Sequence, residues 1–319
     1  MKQQRWGTVP GIGGASLYIL ENQFLRAAVS DYGATLVRLE TPDRDGKWTN
    51  IILTYGAPAD YAANTCYLGA TVGRYANRIA GAAFSLGGET VRVTPNENGN
   101  CLHGGEGFSR KLWTAEPGED RITFRYHSPD GEDGFPGSLD VSAVYRLEGN
   151  RLVMDYRAVS DRDTVVNLTN HAYFNLDGAG IVDGHRLSIR ADRYTPVDGQ
   201  NIPTGGLEAV EGTRFDLRRE RALGADGFDH NFVLSDGEGP AAVLRSEGSG
   251  RRLALSTDLP GLQLYTGDGL SDGVHPPRSG LCLEAQFFPD SPNRPQFPSP
   301  VLEAGREYRR FIALELSAE

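Results

Sequence analysis

The sequence has 319 residues, 39% hydrophobic and 23% charged, with a formal net charge of −10. That length and balance give a globular chain able to bury a sizeable core and exclude a disordered one. An acidic chain without a basic stripe also excludes nucleic acid and anionic membranes as partners.

At the N-terminus, MKQQRWGTVPGIGG carries basic residues but no apolar run of the kind a secretory leader needs, and no membrane-length apolar stretch follows. The expected compartment is the cytoplasm. Three strands are predicted over residues 17–40: LYILEN, FLRAAVS and YGATLVRLETP, the last after a corner at Asp31, Tyr32 and Gly33. Asp43, Arg44, Asp45 and Gly46 turn the chain into KWTNIILTY; the spacing is too short for a calcium loop and the later glutamate is missing. Residues 57–64 have room for one or two helical turns.

Residues 69–94 end in a predicted hairpin, AAFSL and TVRVT around Gly87 and Gly88. Before it, GRYANRI places Arg74, Asn77 and Arg78 in a glycine-bounded loop or strand end. Arg78 is either a structural charge or a planar fork for vicinal hydroxyls or a carboxylate. His103, in CLHGGEGF, is either an ordinary turn histidine or one that reaches a ligand over an unencumbered glycine backbone. Residues 121–158 read as three strands, and the acidic loop SPDGEDGFPG as a solvated turn rather than a calcium site.

TVVNLTNHAYFNL, residues 164–176, reads as one strand. Val166, Leu168, Ala172 and Phe174 lie on the face that packs inward. The other face carries Asn167, Thr169, His171, Tyr173 and Asn175, polar and aromatic but without Lys, Asp or Glu. Such a surface suits hydroxyl-rich ligands. His171 at its middle is either structural or a general acid, its ordinary pKa being about 6.5. RFDLRRERAL, residues 214–223, is a short helix candidate. Asp229 follows, as a turn cap or an acceptor for a ligand hydroxyl, and Gln263 and Tyr265 share one face of a later strand. The GxSxG pattern at 269–273 is discounted, because Pro276 and Pro277 prevent the helix that a nucleophile elbow requires.

LCLEAQFFPDSPNRPQFPSP, residues 281–300, opens as a strand with Leu281, Leu283, Ala285 and Phe287 on one face and Cys282, Glu284 and Gln286 on the other. Its prolines then exclude a helix and predict a stiff extended cover. A mid-strand glutamate is expensive to bury. Alone, Glu284 is either solvent-facing or ion-paired, or it is a general base on a rigid element. A last strand, REYRRFIALEL, closes the chain.

Roughly twenty short strands with glycine-rich turns predict an all-β chain, a large antiparallel β-sandwich forming one domain over residues 1–319. Cys66, Cys101 and Cys282 are odd in number and widely spaced, so free thiols are expected. The candidate residues are one carboxylate, two histidines, an arginine, amides and an aspartate, without a phosphate cradle or a metal-spaced cluster. They point to cofactor-free proton transfer on a neutral sugar, or to a sugar-binding protein.

Over essentially its whole length the sequence resembles the aldose 1-epimerase (galactose mutarotase) family. The motifs are YGATLV (32–37), GATVGRYANRIAGAAF (69–84), CLHGGEGF with KLW (101–113), SPDGEDGFPG (128–137), NLTNHAYFNL (167–176), FDHNFVL (228–234), PGLQLYTGD (260–268) and the stretch 281–300. Cys101 stands where the family usually has Ser, and Ala285 where it usually has Thr. The resemblance implies a galactose-mutarotase-type sandwich that interconverts the anomers of free aldoses such as galactose and glucose, without metal or cofactor, as a monomer or homodimer. It implies Glu284 as general base and His171 as general acid, with Asn77, Arg78, His103, Asp229 and Gln263 holding the sugar oxygens. That pair requires Glu284 to titrate below His171. Two alternatives stay open: a mutarotase for phosphorylated hexoses, with Arg74 and Arg294 as added cations, and a non-catalytic carbohydrate-binding protein.

Overall fold

Alternating apolar and polar residues, punctuated by turns, fold as strands almost throughout the computed structural model, which describes residues 1–63 and 65–319. Two antiparallel sheets dominate. The larger has nine strands, in the order Thr114–Pro117, Arg121–Ser128, Leu139–Glu148, Arg151–Ser160, Glu307–Ala318, Arg251–Thr257, Ala242–Arg245, Arg186–Ile189 and Arg221–Ala222. The second has six: Tyr173–Phe174, Leu281–Gln286, Gly261–Tyr265, Asp229–Leu234, Ala191–Tyr194 and Glu208–Ala209. A five-stranded meander from Lys2–Val9 to Trp48–Asn50 completes the body. Among the described residues no helix is long and apolar enough to cross a membrane.

The apolar faces of these sheets share one core. Phe124, Tyr145, Met154 and Leu314 come from the large sheet, Phe232, Leu262, Leu264 and Leu283 from the second, and Leu20 and Leu36 from the meander. Each large side chain buried there contributes about 1.5–3 kcal/mol over leaving it in water. This burial fixes the register of the second sheet, since a one-residue slip would turn every apolar residue to the wrong face. Leu281, Leu283, Ala285 and Phe287 are in the core, as their alternation predicts. The same register aligns Asn231 with Gln263 and Glu284, and Asp229 with Tyr265 and Cys282, on the opposite face.

Gly261 makes that face possible. A Cβ there would overlap the Asn231 amide oxygen and lie 2.9 Å from the Phe288 ring. The predicted hairpin at Gly87 and Gly88 forms between Ala83–Leu86 and Glu89–Arg92, both glycines at positive φ.

Three expectations are corrected. Residues 164–176 are not one strand. Thr164–Val165, Thr169–Asn170 and Tyr173–Phe174 pair separately with Val301–Leu302, Thr71–Val72 and Leu281–Gln286. The stretch is buried throughout, which is why its polar face lacks charge. Residues 214–223 form no helix. Phe215 and Leu217 are buried at a spacing of two, Phe215 stacks on Tyr194, and the Leu217 carbonyl accepts from the Ile189 amide. The proline-rich cover contains one 3-10 turn, Ser291–Asn293, with Pro292 in its first turn. The helix expected over residues 57–64 is present as Pro58–Ala63; Asn64 lies outside the described residues.

Candidate active site

The polar face of the six-stranded sheet opens on a cleft of about 580 Å³. Its strands set one wall, with Glu284 and Asp229. The broken stretch supplies His171 and Tyr173, and the small sheet pairing Arg78–Ile79 with Cys101–Leu102 supplies Asn77, Arg78 and His103. Residues separated by some two hundred positions thus meet in one cavity.

Glu284 is 2% exposed and its Oε2 has no hydrogen-bond partner among the described residues. His171 Nε2 stands 3.8 Å from that oxygen, too far for a direct hydrogen bond. The His171 backbone is pinned on both sides, its N–H to the Ala70 carbonyl and its carbonyl to the Gly69 N–H. The Cys282 thiol lies 3.5 Å behind its Nδ1.

Burial governs both protonation states. It pushes Glu284 up to about 8, with the Asp229 carboxylate adding to the rise and Arg78 opposing it. It holds His171 down at about 4. The expected order, Glu284 below His171, is therefore reversed, because removal from water disfavours carboxylate and imidazolium alike. Between these limits the pair keeps one proton. Carboxylic acid with imidazole and carboxylate with imidazolium are two arrangements of that same proton.

His103 is fixed by its neighbour across the small sheet. Its Nδ1 accepts the Asn77 backbone N–H at 3.1 Å, and the His103 backbone N–H donates to the Asn77 carbonyl. Burial keeps its pKa well below the usual value, with His171 and Arg78 adding to the effect. The neutral ring therefore carries its proton on Nε2 and presents a donor. His103, His171 and Glu284 could bring ligand atoms within 4.8 Å of one another. A metal at His103 Nε2 would need the proton moved to Nδ1, against the Asn77 N–H, so the trio better suits hydrogen bonding to oxygen. The glycines after His103 serve another purpose than the expected one. A Cβ at Gly104 would lie 2.5 Å from the Arg74 backbone nitrogen, so the close approach is to the chain itself.

The Arg78 fork is already engaged. Its Nε and Nη2 donate to Glu97 at 2.6 and 2.9 Å, leaving Nη1 3.9 Å from Asp229 Oδ2. Asp229 accepts from Gln263 Nε2 at 2.6 Å and from Asn201 Nδ2 at 3.0 Å, and burial raises its pKa. Gln263 thus braces Asp229 from behind, and its Oε1 is buried without a partner among the described residues. The six other candidates line the cleft directly.

Arg74 is buried elsewhere, donating to the Pro136 and Gly137 carbonyls and to Ser128. Arg294 is tied to Asp290. Neither lines the cleft. Sequence reasoning missed Glu97, Asn201, Asp268 and Tyr67 among the lining residues. The Tyr67 ring lies edge-on to His103, centroids 4.7 Å apart. The one available signal was Glu97 itself, a lone carboxylate in the NENG turn ahead of the histidine.

The sequence model of the family described as Aldose 1-epimerase matches residues 16–315. The galactose mutarotase of Mus musculus is 42% identical, the match covering 98% of this chain and 97% of that protein. The aldose 1-epimerase of Escherichia coli (strain K12) is 39% identical, over 95% of each. The crystal structure of the GalM/aldose epimerase homologue from C. elegans superposes with a TM-score of 0.92 at 30% identity, covering 95% of this chain and 99% of that one.

Proposed function

Given that this chain belongs to the aldose 1-epimerase family, we propose that Glu284 and His171 work as the general base and general acid of its isomerase reaction. The reaction is the interconversion of the α and β anomers of free aldoses. The carrying observation is the placement of Glu284 Oε2 and His171 Nε2, both buried on the cleft and 3.8 Å apart. That spacing lets one group serve the C1 hydroxyl and the other the ring oxygen, two oxygens bonded to one carbon.

Glu284 takes the proton of the C1 hydroxyl as His171 delivers one to the ring oxygen. The C1–ring-oxygen bond breaks and C1 becomes an aldehyde. Rotation about C1–C2 presents its other face, and reclosure reverses both transfers. Ring opening leaves Glu284 protonated and His171 neutral, the arrangement that burial favours. The cyclic sugar compensates the charged arrangement by hydrogen-bonding to the unpartnered Oε2. Each positioned proton transfer is worth about 10²–10⁴-fold in rate. The His103 Nε2–H, Arg78 Nη1, Asn77 and Asp229 hold the remaining hydroxyls, with Gln263 bracing Asp229.

The substrates are neutral hexoses, galactose and glucose. Glu97, Asp229 and Asp268 line the cleft with Arg78, whose fork is occupied, and Arg74 and Arg294 lie outside it, so among the described residues a phosphorylated hexose meets no cationic cluster. Polarimetry of freshly dissolved α-D-galactose, α-D-glucose and α-D-glucose 6-phosphate is the test. Acceleration of the first two and not the third is expected; failure with both neutral sugars would overturn the assignment.

A further inference from the structure

Glu97 sits at the start of a tight turn. It exchanges backbone hydrogen bonds with Asn100, and Asn98 and Gly99 between them both have positive φ (50° and 83°). Asparagine and glycine are the residues that tolerate this geometry. The turn feeds directly into Cys101–Leu102, the strand paired with Arg78–Ile79. Glu97 is therefore held at fixed height over Arg78, and it takes two of the guanidinium's donor positions in a parallel pair of short bonds.

The other groups facing this guanidinium are Asp229 across the cleft, with Nη1 3.9 Å away, and Glu284 and His103, which feel its charge. Without Glu97, Arg78 would be left facing the half-buried Asp229 carboxylate and the buried Glu284 and would swing onto them. With Glu97 in place, the Nη1 end of the guanidinium remains to meet a ligand.

We propose that Glu97 is a positioning residue of the sugar site, which aims Arg78 Nη1 at a sugar oxygen and keeps the guanidinium off Asp229 and Glu284. The inference deepens the acid–base reading and rests on it for the catalytic readout. Its binding readout is independent.

The test uses Glu97→Gln, Glu97→Asp, Arg78→Ala and the Glu97→Gln/Arg78→Ala double variant, each checked for wild-type circular dichroism. Galactose affinity is measured by calorimetry, and kcat and KM by anomer exchange. Glu97→Gln keeps the shape of the side chain and loses its charge. It is expected to weaken galactose binding about tenfold or more, mainly in Kd and KM. It should also move the alkaline limb of the pH–rate profile to lower pH, because a freed Arg78 favours the Glu284 carboxylate; the other groups facing Glu284 (His171, Cys282, Tyr173 and Asp229) are unchanged. Glu97→Asp, which keeps the charge, should restore the limb. In the Arg78→Ala background Glu97→Gln should cost nothing further. An undiminished loss in that background, or unchanged affinity and unchanged limb in Glu97→Gln, would overturn the proposal. Should Glu97→Gln fail to fold, Glu97→Ala, which also removes the carboxylate, is measured in the wild-type and Arg78→Ala backgrounds and decides between the same outcomes. If the wild type binds galactose but does not exchange its anomers, the acid–base reading fails while the affinities still judge Glu97.

Discussion

Glu284→Gln is expected to stabilise the protein, and only at alkaline pH. Burial raises the carboxyl from an ordinary 4.5 to about 8. A carboxyl with a raised folded-state pKa contributes its full stability below the unfolded value and loses it as pH rises through the folded one. From pH 4.5 to about 8, wild type therefore loses stability at this site, at 1.36 kcal/mol for each pKa unit, to a total of about 5 kcal/mol. Glutamine has nearly the same shape and cannot ionise, so it escapes that loss. Urea unfolding of both proteins at pH 5 and pH 8.5, read by circular dichroism, gives the difference directly. Near-equal stabilities at pH 5 and an advantage of several kcal/mol for Glu284→Gln at pH 8.5 are expected. A pH-independent difference, or an advantage for wild type at pH 8.5, would refute the claim that Glu284 is buried without a compensating partner.

The same titrations set the activity profile. kcat/KM should form a plateau bounded near pH 4 and pH 8, falling about tenfold per pH unit beyond each limb, since the pair must hold one proton; a profile still rising above pH 9 would contradict this. Gly261→Ala should push its methyl into the Asn231 amide and the Phe288 ring. It is expected to cost about 1–3 kcal/mol in urea unfolding and to lower anomer exchange by displacing the strand beside Glu284; wild-type behaviour in both would remove the stated role of that glycine.

Glu284 was legible because strand alternation is local: Leu283 and Ala285 must face the core, so the residue between them must face away. The sandwich class was legible for the same reason, from short alternating runs and turn residues. The 164–176 stretch shows where local reading stops. Its alternation correctly sorts Leu168 and Phe174 into the core, yet the strand breaks because three distant segments compete for its backbone hydrogen bonds. The Arg214 to Leu223 stretch misleads in the same way, its helical composition overridden by the pocket that takes Phe215 beside Tyr194. The Arg78 fork was left open between a structural charge and a holder of hydroxyls or a carboxylate; that the carboxylate is Glu97 could not be read, because Glu97 lies across a turn whose packing no spacing rule reveals. The order of the Glu284 and His171 titrations was likewise beyond the sequence, because it depends on how completely both groups leave water.

The most direct test of the acid–base pair is exchange of galactose anomers at equilibrium, followed by magnetisation-transfer NMR with wild type, Glu284→Gln and His171→Asn, all shown to bind galactose. Exchange by wild type, with each variant slowed at least a hundredfold while galactose still binds, is the predicted result. Retention of near-wild-type exchange in either variant would contradict the assignment of that residue and, with it, the mechanism.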